Sequence, residues 1–230
     1  MSRRFTRQYR HLQGVDPVLA RLHETYGPQD PFEWFDGGRT GDSMFAAMVL
    51  HIIGQQISAT VTFAVYDRVV AAGGGIPTSK RVLRLGAPRL RECGLSWAKA
   101  GSVVDLATRQ SSGVIDLENL TSTPDEEVIT GLTAVKGIGL WSAQTFLIRQ
   151  LHRADVLPEG DVGIRRAITQ AWSLPAAPAP KEVRARGEAW APYRSFAAAL
   201  LWRSLAAPGE LSDPKAKALA RAEHRAAGRG

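Results

Sequence analysis

This sequence predicts an all-α protein, and three observations carry the prediction. No period-2 run of β-branched residues reaches convincing strand length. Helix start and stop signals recur, as at Thr123-Pro124-Asp125-Glu126 and at Gly73-Gly74-Gly75. Apolar residues gather in helix-length blocks, foremost Ser43–Ile53 (SMFAAMVLHII), which is apolar almost all round and therefore reads as a buried helix.

The elements follow in chain order. Gly54-Gln55-Gln56-Ile57 interrupts the apolar block, and Ser58 N-caps a helix over 59–72 that the three glycines and Pro77 end. Thr78 opens a short basic helix (SKRVLRLG), and a further helix runs from Ser96 to Gln110. Thr123 is placed to cap a helix from Pro124 to about Leu132, with proline at the first helical position and Glu126 at the third. A short turn over 135–139 (VKGIG) leads into a helix over 140–151, and Asp161 precedes another over 162–172. Residues 173–180 (SLPAAPAP) form a Pro/Ala linker before helices at 181–190 and 194–207. The Ala/Arg-rich tail from Ala216 is weakly helical or disordered. That makes roughly ten short helices and no internal repeat.

Composition bounds the function. With 230 residues, 44% apolar and 22% charged, the chain reads as an ordinary soluble globular protein. No apolar run approaches the ~18 residues of a membrane span. The basic start MSRRFTRQYR has no apolar stretch and cleavage site behind it, so it is not a secretory signal, and a cytoplasmic, nucleoid-associated location is expected. Cys93 is the single cysteine, which excludes an internal disulfide, a cysteine-based zinc site and an iron–sulfur cluster. The five histidines show no metal-ligand spacing, and Gly94–Ala98 (GLSWA) lacks the final glycine of a nucleophile elbow. Lys and Arg outnumber Asp and Glu by 29 to 22. That surplus suits a polyanionic partner, but equally a merely basic protein, and charge alone does not decide.

Three stretches carry chemistry. The first is Leu132–Ile148 (LTAVKGIGLWSAQTFLI): helix, tight turn, helix. Gly137 and Gly139 leave backbone N–H groups uncovered at the positive end of the following helix, a seat for one phosphate, with Ile138 anchoring the turn. A plain αα-hairpin would use the same glycines. A dinucleotide site is excluded, because no strand precedes them and the third glycine is absent. The second stretch is 157–166 (LPEGDVGIRR), where Asp161 occupies a helix N-cap that keeps a carboxylate ionised, whether as a cap alone or as a working group. The third is 190–202 (WAPYRSFAAALLW), in which Trp202 can stack on a base or sit in a core, and Arg194 can meet phosphate. Trp141 carries the same ambiguity.

Taken in this order, the stretches resemble the helix-hairpin-helix DNA glycosylases, in particular the 3-methyladenine DNA glycosylase II (AlkA-type) proteins. The likeness covers roughly Asp42 to Leu205 and includes Ile52–Ser58 (IIGQQIS), Lys136–Ala143 (KGIGLWSA), the Pro158–Asp161 loop, and Tyr193–Phe196 followed by Trp202. It implies two helical subdomains with an active-site cleft between them: 42–160, holding the hairpin, and 1–41 with 161–230. It also implies a short form, since about 40 residues before Asp42 are too few for the extra N-terminal α+β domain of larger members.

Roles follow from the resemblance residue by residue. Asp161 matches the catalytic aspartate. Trp202, Trp141 and Thr145 fall in the base pocket, Thr145 standing where the family has Tyr. Gln56, with Gln55 beside it, takes the place of the wedge that fills the gap left by a flipped nucleotide, although it is polar. The amides of Gly137 and Gly139, together with Arg194, are expected at phosphate, and Lys136 replaces the usual Pro. Backbone carbonyls of Thr133, Val135 and Ile138 match those that hold a monovalent cation, Na⁺ or K⁺, and no cofactor is required.

The implied activity is excision of alkylated bases such as 3-methyladenine and 7-methylguanine from double-stranded DNA by a monomer. Relatives that also nick the strand carry a nucleophilic Lys where this chain has Trp141, so excision without strand cleavage is expected. A glycosylase for mismatched or oxidised bases, or a non-catalytic helix-hairpin-helix DNA-binding protein, are the alternatives.

Overall fold

The computed structural model describes residues 5–227. Among the described residues there are twelve α-helices, two short 3-10 turns and no strand, so the all-α expectation holds. The helices are α1 (Thr6–Val15), α2 (Pro17–Tyr26), α3 (Met44–Gly54), α4 (Ala59–Gly73), α5 (Ser79–Glu92), α6 (Trp97–Ser111), α7 (Asp125–Thr133), α8 (Leu140–Arg149), α9 (Val162–Ala171), α10 (Pro180–Gly187), α11 (Arg194–Arg203) and α12 (Pro214–Ala227). None of them is long and apolar enough to cross a membrane.

Several boundaries differ from the sequence expectation. The short basic helix continues to Glu92 through a kink at Gly86 (φ 65°), just ahead of Pro88. The N-cap of α7 is Pro124, not Thr123, because an extended ψ of 143° at the proline delays helical geometry to Asp125. The tail is helical as α12, and α1 and α2 occupy a region for which the sequence suggested no element.

The chain divides into two compact units that interleave in sequence. Residues 5–33 with 147–217 make the first, and 34–146 with 218–227 the second. The divisions fall after 33, 146 and 217, where only 41 and 160 were expected. Local bonds explain the shift. The Arg149 guanidinium donates to the Glu33 carbonyl (2.6 Å), keeping the end of α8 with the first unit. Arg39 forks onto Asp67 of α4 (2.8 and 3.1 Å), keeping the segment after 33 with the second.

In the first unit Tyr9, Leu12, Leu19, Ile164, Ile168, Val183, Trp190 and Phe196 close into one core. Burying each large side chain of this kind contributes about 1.5–3 kcal/mol. Asp16 is the polar pin of that core. Its carboxylate caps α2 through the Val18 amide (2.9 Å) and accepts the Trp190 indole N–H (3.0 Å).

In the second unit α3 is the central helix, with eight of its eleven residues buried: Phe45, Ala46, Ala47, Met48, Val49, Leu50, Ile52 and Ile53. Its start is capped locally by Ser43 and from afar by Glu118, whose carboxylate accepts the Met44 and Phe45 amides (3.0 and 3.1 Å). A carboxylate there also meets the positive end of the helix dipole.

Candidate functional site

In the first unit the central residue is Asp161. It stands at the N-cap of α9, as expected, and its Oδ1 accepts the Ile164 amide at 2.7 Å. The same oxygen accepts the indole N–H of Trp202 at 3.1 Å. Hydrogen bonds to a charged acceptor are stronger than neutral ones, so this carboxylate is tied down on one side by two donors. The structure thus brings together two residues 41 positions apart that the sequence singled out separately.

Gly163 completes the seat, although nothing in the local sequence points to it. A Cβ at that position would stand 2.9 Å from Asp161 Oδ1, 3.3 Å from Leu205 and 3.5 Å from Trp202. Any side chain there would have to push the carboxylate aside from the first turn of α9. The second glycine of the PEGDVG stretch therefore has a steric reason.

Trp202 is half-buried and carries the Arg149 guanidinium over its ring, 5.4 Å from the centroid. Arg149 is half-buried, and desolvation pulls its pKa below the ordinary arginine value despite the carboxylates of Asp213, Glu33 and Asp30. The ring of Trp202 therefore already faces one cation. Arg194, expected at a phosphate, is instead forked onto Asp155, with Nε and Nη2 at 2.7 and 2.8 Å from its two oxygens. Burial acts against the charge on Asp155, yet the Arg194 side chain and amide hold its carboxyl below the usual range. A phosphate at Arg194 would have to compete with that bidentate pair.

In the second unit the hairpin folds as its sequence suggests. The Val135 amide reaches back to Leu132, the Ile138 amide closes on the Val135 carbonyl (3.1 Å), and Ile138 is buried beneath the turn. The two glycines are not equivalent. Gly137 has φ +82°, and a Cβ there would meet Ser102 Oγ at 2.5 Å. Gly139 is not in the left-handed region and has nothing within 4 Å of a Cβ position. The turn requires Gly137, whereas Gly139 keeps the approach to the first turn of α8 open. Gly139, Leu140 and Trp141 are all exposed there, beside amides that lack partners within a helix. Asp105 of α6 accepts the Lys136 amide (2.8 Å) and so holds the hairpin from below.

The Gln55–Gln56 loop lies in the same unit. The Gln55 side-chain amide donates to the Gly137 carbonyl at 3.2 Å, which links this loop to the hairpin. Gln56 is exposed and adopts φ +57°, a left-handed conformation that costs a non-glycine residue about 1 kcal/mol or more.

Trp141 is 42% exposed on α8, with the His51 ring 5.3 Å away and tilted by 36°. His51 also shares a 3.0 Å hydrogen bond with the buried Ser142. Thr145 turns its hydroxyl back to donate to the Trp141 carbonyl (2.9 Å), within its own helix. His51, one of the five histidines without metal-ligand spacing, supports the exposed indole from α3.

Comparison with known proteins gives the family. The model of the HhH-GPD superfamily of base excision DNA repair proteins matches residues 49–192. DNA-3-methyladenine glycosylase 1 of Schizosaccharomyces pombe is 30% identical over 197 residues, covering 84% of this chain and 85% of that one. The solved structure of the Schizosaccharomyces pombe 3-methyladenine DNA glycosylase in complex with abasic DNA superposes with a TM-score of 0.73 at 29% identity, over 86% of this chain and 96% of that one. A DNA-3-methyladenine glycosidase from Bacillus halodurans gives a TM-score of 0.75 at 30% identity, over 86% and 88%. The chain belongs to the HhH-GPD superfamily of base excision DNA repair proteins.

Proposed function

We infer that this protein is a monofunctional DNA glycosylase that hydrolyses the N-glycosidic bond of alkylated bases flipped out of double-stranded DNA. The observation that carries the reading is the Asp161 carboxylate, held by the Ile164 amide and the Trp202 indole beside Gly163, where a Cβ would crowd it. The names of the similar glycosylases support the substrate class.

The chemistry needs little beyond that carboxylate. A stacked base hides its glycosidic bond, so the nucleotide must leave the helix, and a damaged base with weakened pairing leaves at lower cost. Alkylation at N3 of adenine or N7 of guanine makes the base a cation and hence a good leaving group. As the C1′–N bond breaks, its electron pair goes to the base and positive charge develops on the sugar. Asp161 stabilises that charge and orients the water whose oxygen bonds to C1′, the water's proton passing to the carboxylate or to solvent. Trp141 offers an exposed indole to a cationic base, worth ~0.5–2 kcal/mol. Trp202 acts first through its N–H, since its ring already bears Arg149.

The hairpin grips backbone phosphate through the amides around Gly139, and Gln56 enters the duplex. The carbonyls of Thr133, Val135 and Ile138 come from one turn, in which the Val135 carbonyl also accepts the Ile138 amide, and a neutral oxygen set of this kind suits Na⁺ or K⁺. A cation there would add positive charge beside the phosphate. Trp141 stands where strand-nicking relatives place Lys, and an indole forms no Schiff base.

The test is release of free base from duplexes carrying methylated purines, 8-oxoguanine, a mismatch or no damage. Release from the methylated duplex, with no borohydride-trapped protein–DNA adduct, is expected. Release only from oxidised or mispaired duplex would replace the substrate assignment. Binding without release from any of them would remove the catalytic one.

A further inference from the structure

Lys99 lies in the first turn of α6, where the Ser96 hydroxyl caps its backbone amide at 3.2 Å. A cation is disfavoured at that end of a helix. The side chain leaves its own helix, however, and its ammonium donates to the carbonyls of Ile53 (2.8 Å) and Gln55 (2.6 Å). These oxygens belong to the last turn of α3 and the residue after it, the negative end of a helix dipole, where carbonyls lack partners within the helix. Desolvation pushes the Lys99 pKa below the usual lysine value, and the two carbonyls are the partners of the ammonium there.

The neighbouring contacts give this clamp a direction. Gln55 is bonded twice, at its carbonyl by Lys99 and at its side chain to the Gly137 carbonyl. Gln56 follows immediately in its left-handed conformation. Two further residues of α6 hold the hairpin. Ser102 fills the space against Gly137 that a Cβ would need, and Asp105 accepts the Lys136 amide. Lys99, Ser102 and Asp105 are spaced three apart, so one stripe of α6 touches the Gln55–Gln56 loop and the hairpin in succession.

We propose that Lys99 is a positioning residue for duplex opening, its ammonium fixing the Gln55–Gln56 loop in register with the hairpin along α6. The proposal rests on the reading of that loop as the element that enters DNA. Grip on the backbone and entry of Gln56 then occur at a fixed offset, so a phosphate seated at the hairpin places Gln56 at one defined base step.

The test uses Lys99→Met, which keeps the aliphatic stem, and Lys99→Arg, which can still donate to two carbonyls. Hydrogen exchange in the free protein reads the loop directly. Opening of duplex is read by fluorescence of 2-aminopurine placed opposite a tetrahydrofuran abasic analogue. In Lys99→Met, exchange over residues 54–58 should rise roughly tenfold while core amides of α3 keep wild-type protection. The 2-aminopurine signal at saturating protein should fall by about half or more, and Lys99→Arg should restore both. Affinity for undamaged duplex and its salt dependence should stay unchanged.

Unaltered exchange over 54–58 in Lys99→Met would overturn the proposal. So would a salt slope reduced by about one with exchange unaltered, because Lys99 would then be a direct phosphate contact. Loss of protection throughout α3 would make the residue merely structural. If the wild-type protein gave no 2-aminopurine signal, the duplex-opening role of the loop would fall, and this proposal with it. Base release by that same protein would still stand as a separate result.

Discussion

Asp161 and Gln56 both sit at a helix boundary, yet the fold holds them in opposite ways. Asp161 is fixed at its carboxylate: two donors converge on Oδ1, and a bare glycine lets the indole reach it. Gln56 is fixed at its backbone, in a strained left-handed conformation between bonded neighbours, and its side chain is left exposed. The difference fits the role proposed for each. A group that stabilises charge on one sugar carbon gains from preorganisation at the ångström level. A group that enters a stacked helix needs a rigid base and a free tip.

The contrast can be broken from the Asp161 side first. Asp161→Asn preserves the N-cap, because Asn caps helices about as well as Asp, and should fold and bind damaged duplex normally. Its single-turnover excision should fall by roughly 10²–10³-fold, the usual loss for one preorganised charge-stabilising group. Next comes Gly163→Ala. The added Cβ must push the carboxylate or the indole aside, and misplacement of that order can cost up to roughly 100-fold in rate with undamaged-duplex affinity retained. Trp202→Phe keeps an aromatic ring but removes the indole donor to a charged acceptor. A loss of about tenfold is expected, and wild-type rates would show that the indole N–H does not position Asp161.

The smallest effect lies in the hairpin, where the two glycines separate. Gly137→Ala should lower unfolding free energy by about 1–3 kcal/mol in denaturant titration, because a left-handed residue gains a side chain against Ser102. Gly139→Ala should stay within about 0.5 kcal/mol of wild type, since its Cβ enters open space. Equal losses at both positions would show that the turn needs two bare residues.

Much of this was legible in the sequence, for a physical reason. Helix caps and tight turns act over two to four residues, so Ser58, Thr78, Ser96 and Asp161 announced their helices and the hairpin announced its turn. The Asp16-Pro17 pair carries the same kind of signal for α2, with Asp at the cap and Pro at the first position, and would have revealed it. What stayed hidden acts across the chain. Glu118 caps α3 from 74 residues away, and Lys99 reaches the Ile53 carbonyl from 46. Asp155 takes up the Arg194 fork from 39. Gly163 looked like one more glycine until the fold set Trp202 against it. Spacing along the chain carries no trace of such pairs.

The central claim is a division of labour between the Asp161 seat and the hairpin, and one paired measurement tests it. Gly139→Asp and Asp161→Asn are compared for affinity to undamaged duplex and for excision rate on methylated duplex at saturating protein. Gly139→Asp enters open space at a helix start that tolerates an acid, so folding should survive. Its charge should repel phosphate, weakening binding to either duplex about tenfold or more, with the saturated excision rate within about twofold of wild type. Asp161→Asn should show the reverse, an intact affinity and a collapsed rate. If Gly139→Asp instead kept its affinity for undamaged duplex and lost the saturated rate as Asp161→Asn does, the hairpin would belong to the chemistry, and the division drawn here would be wrong.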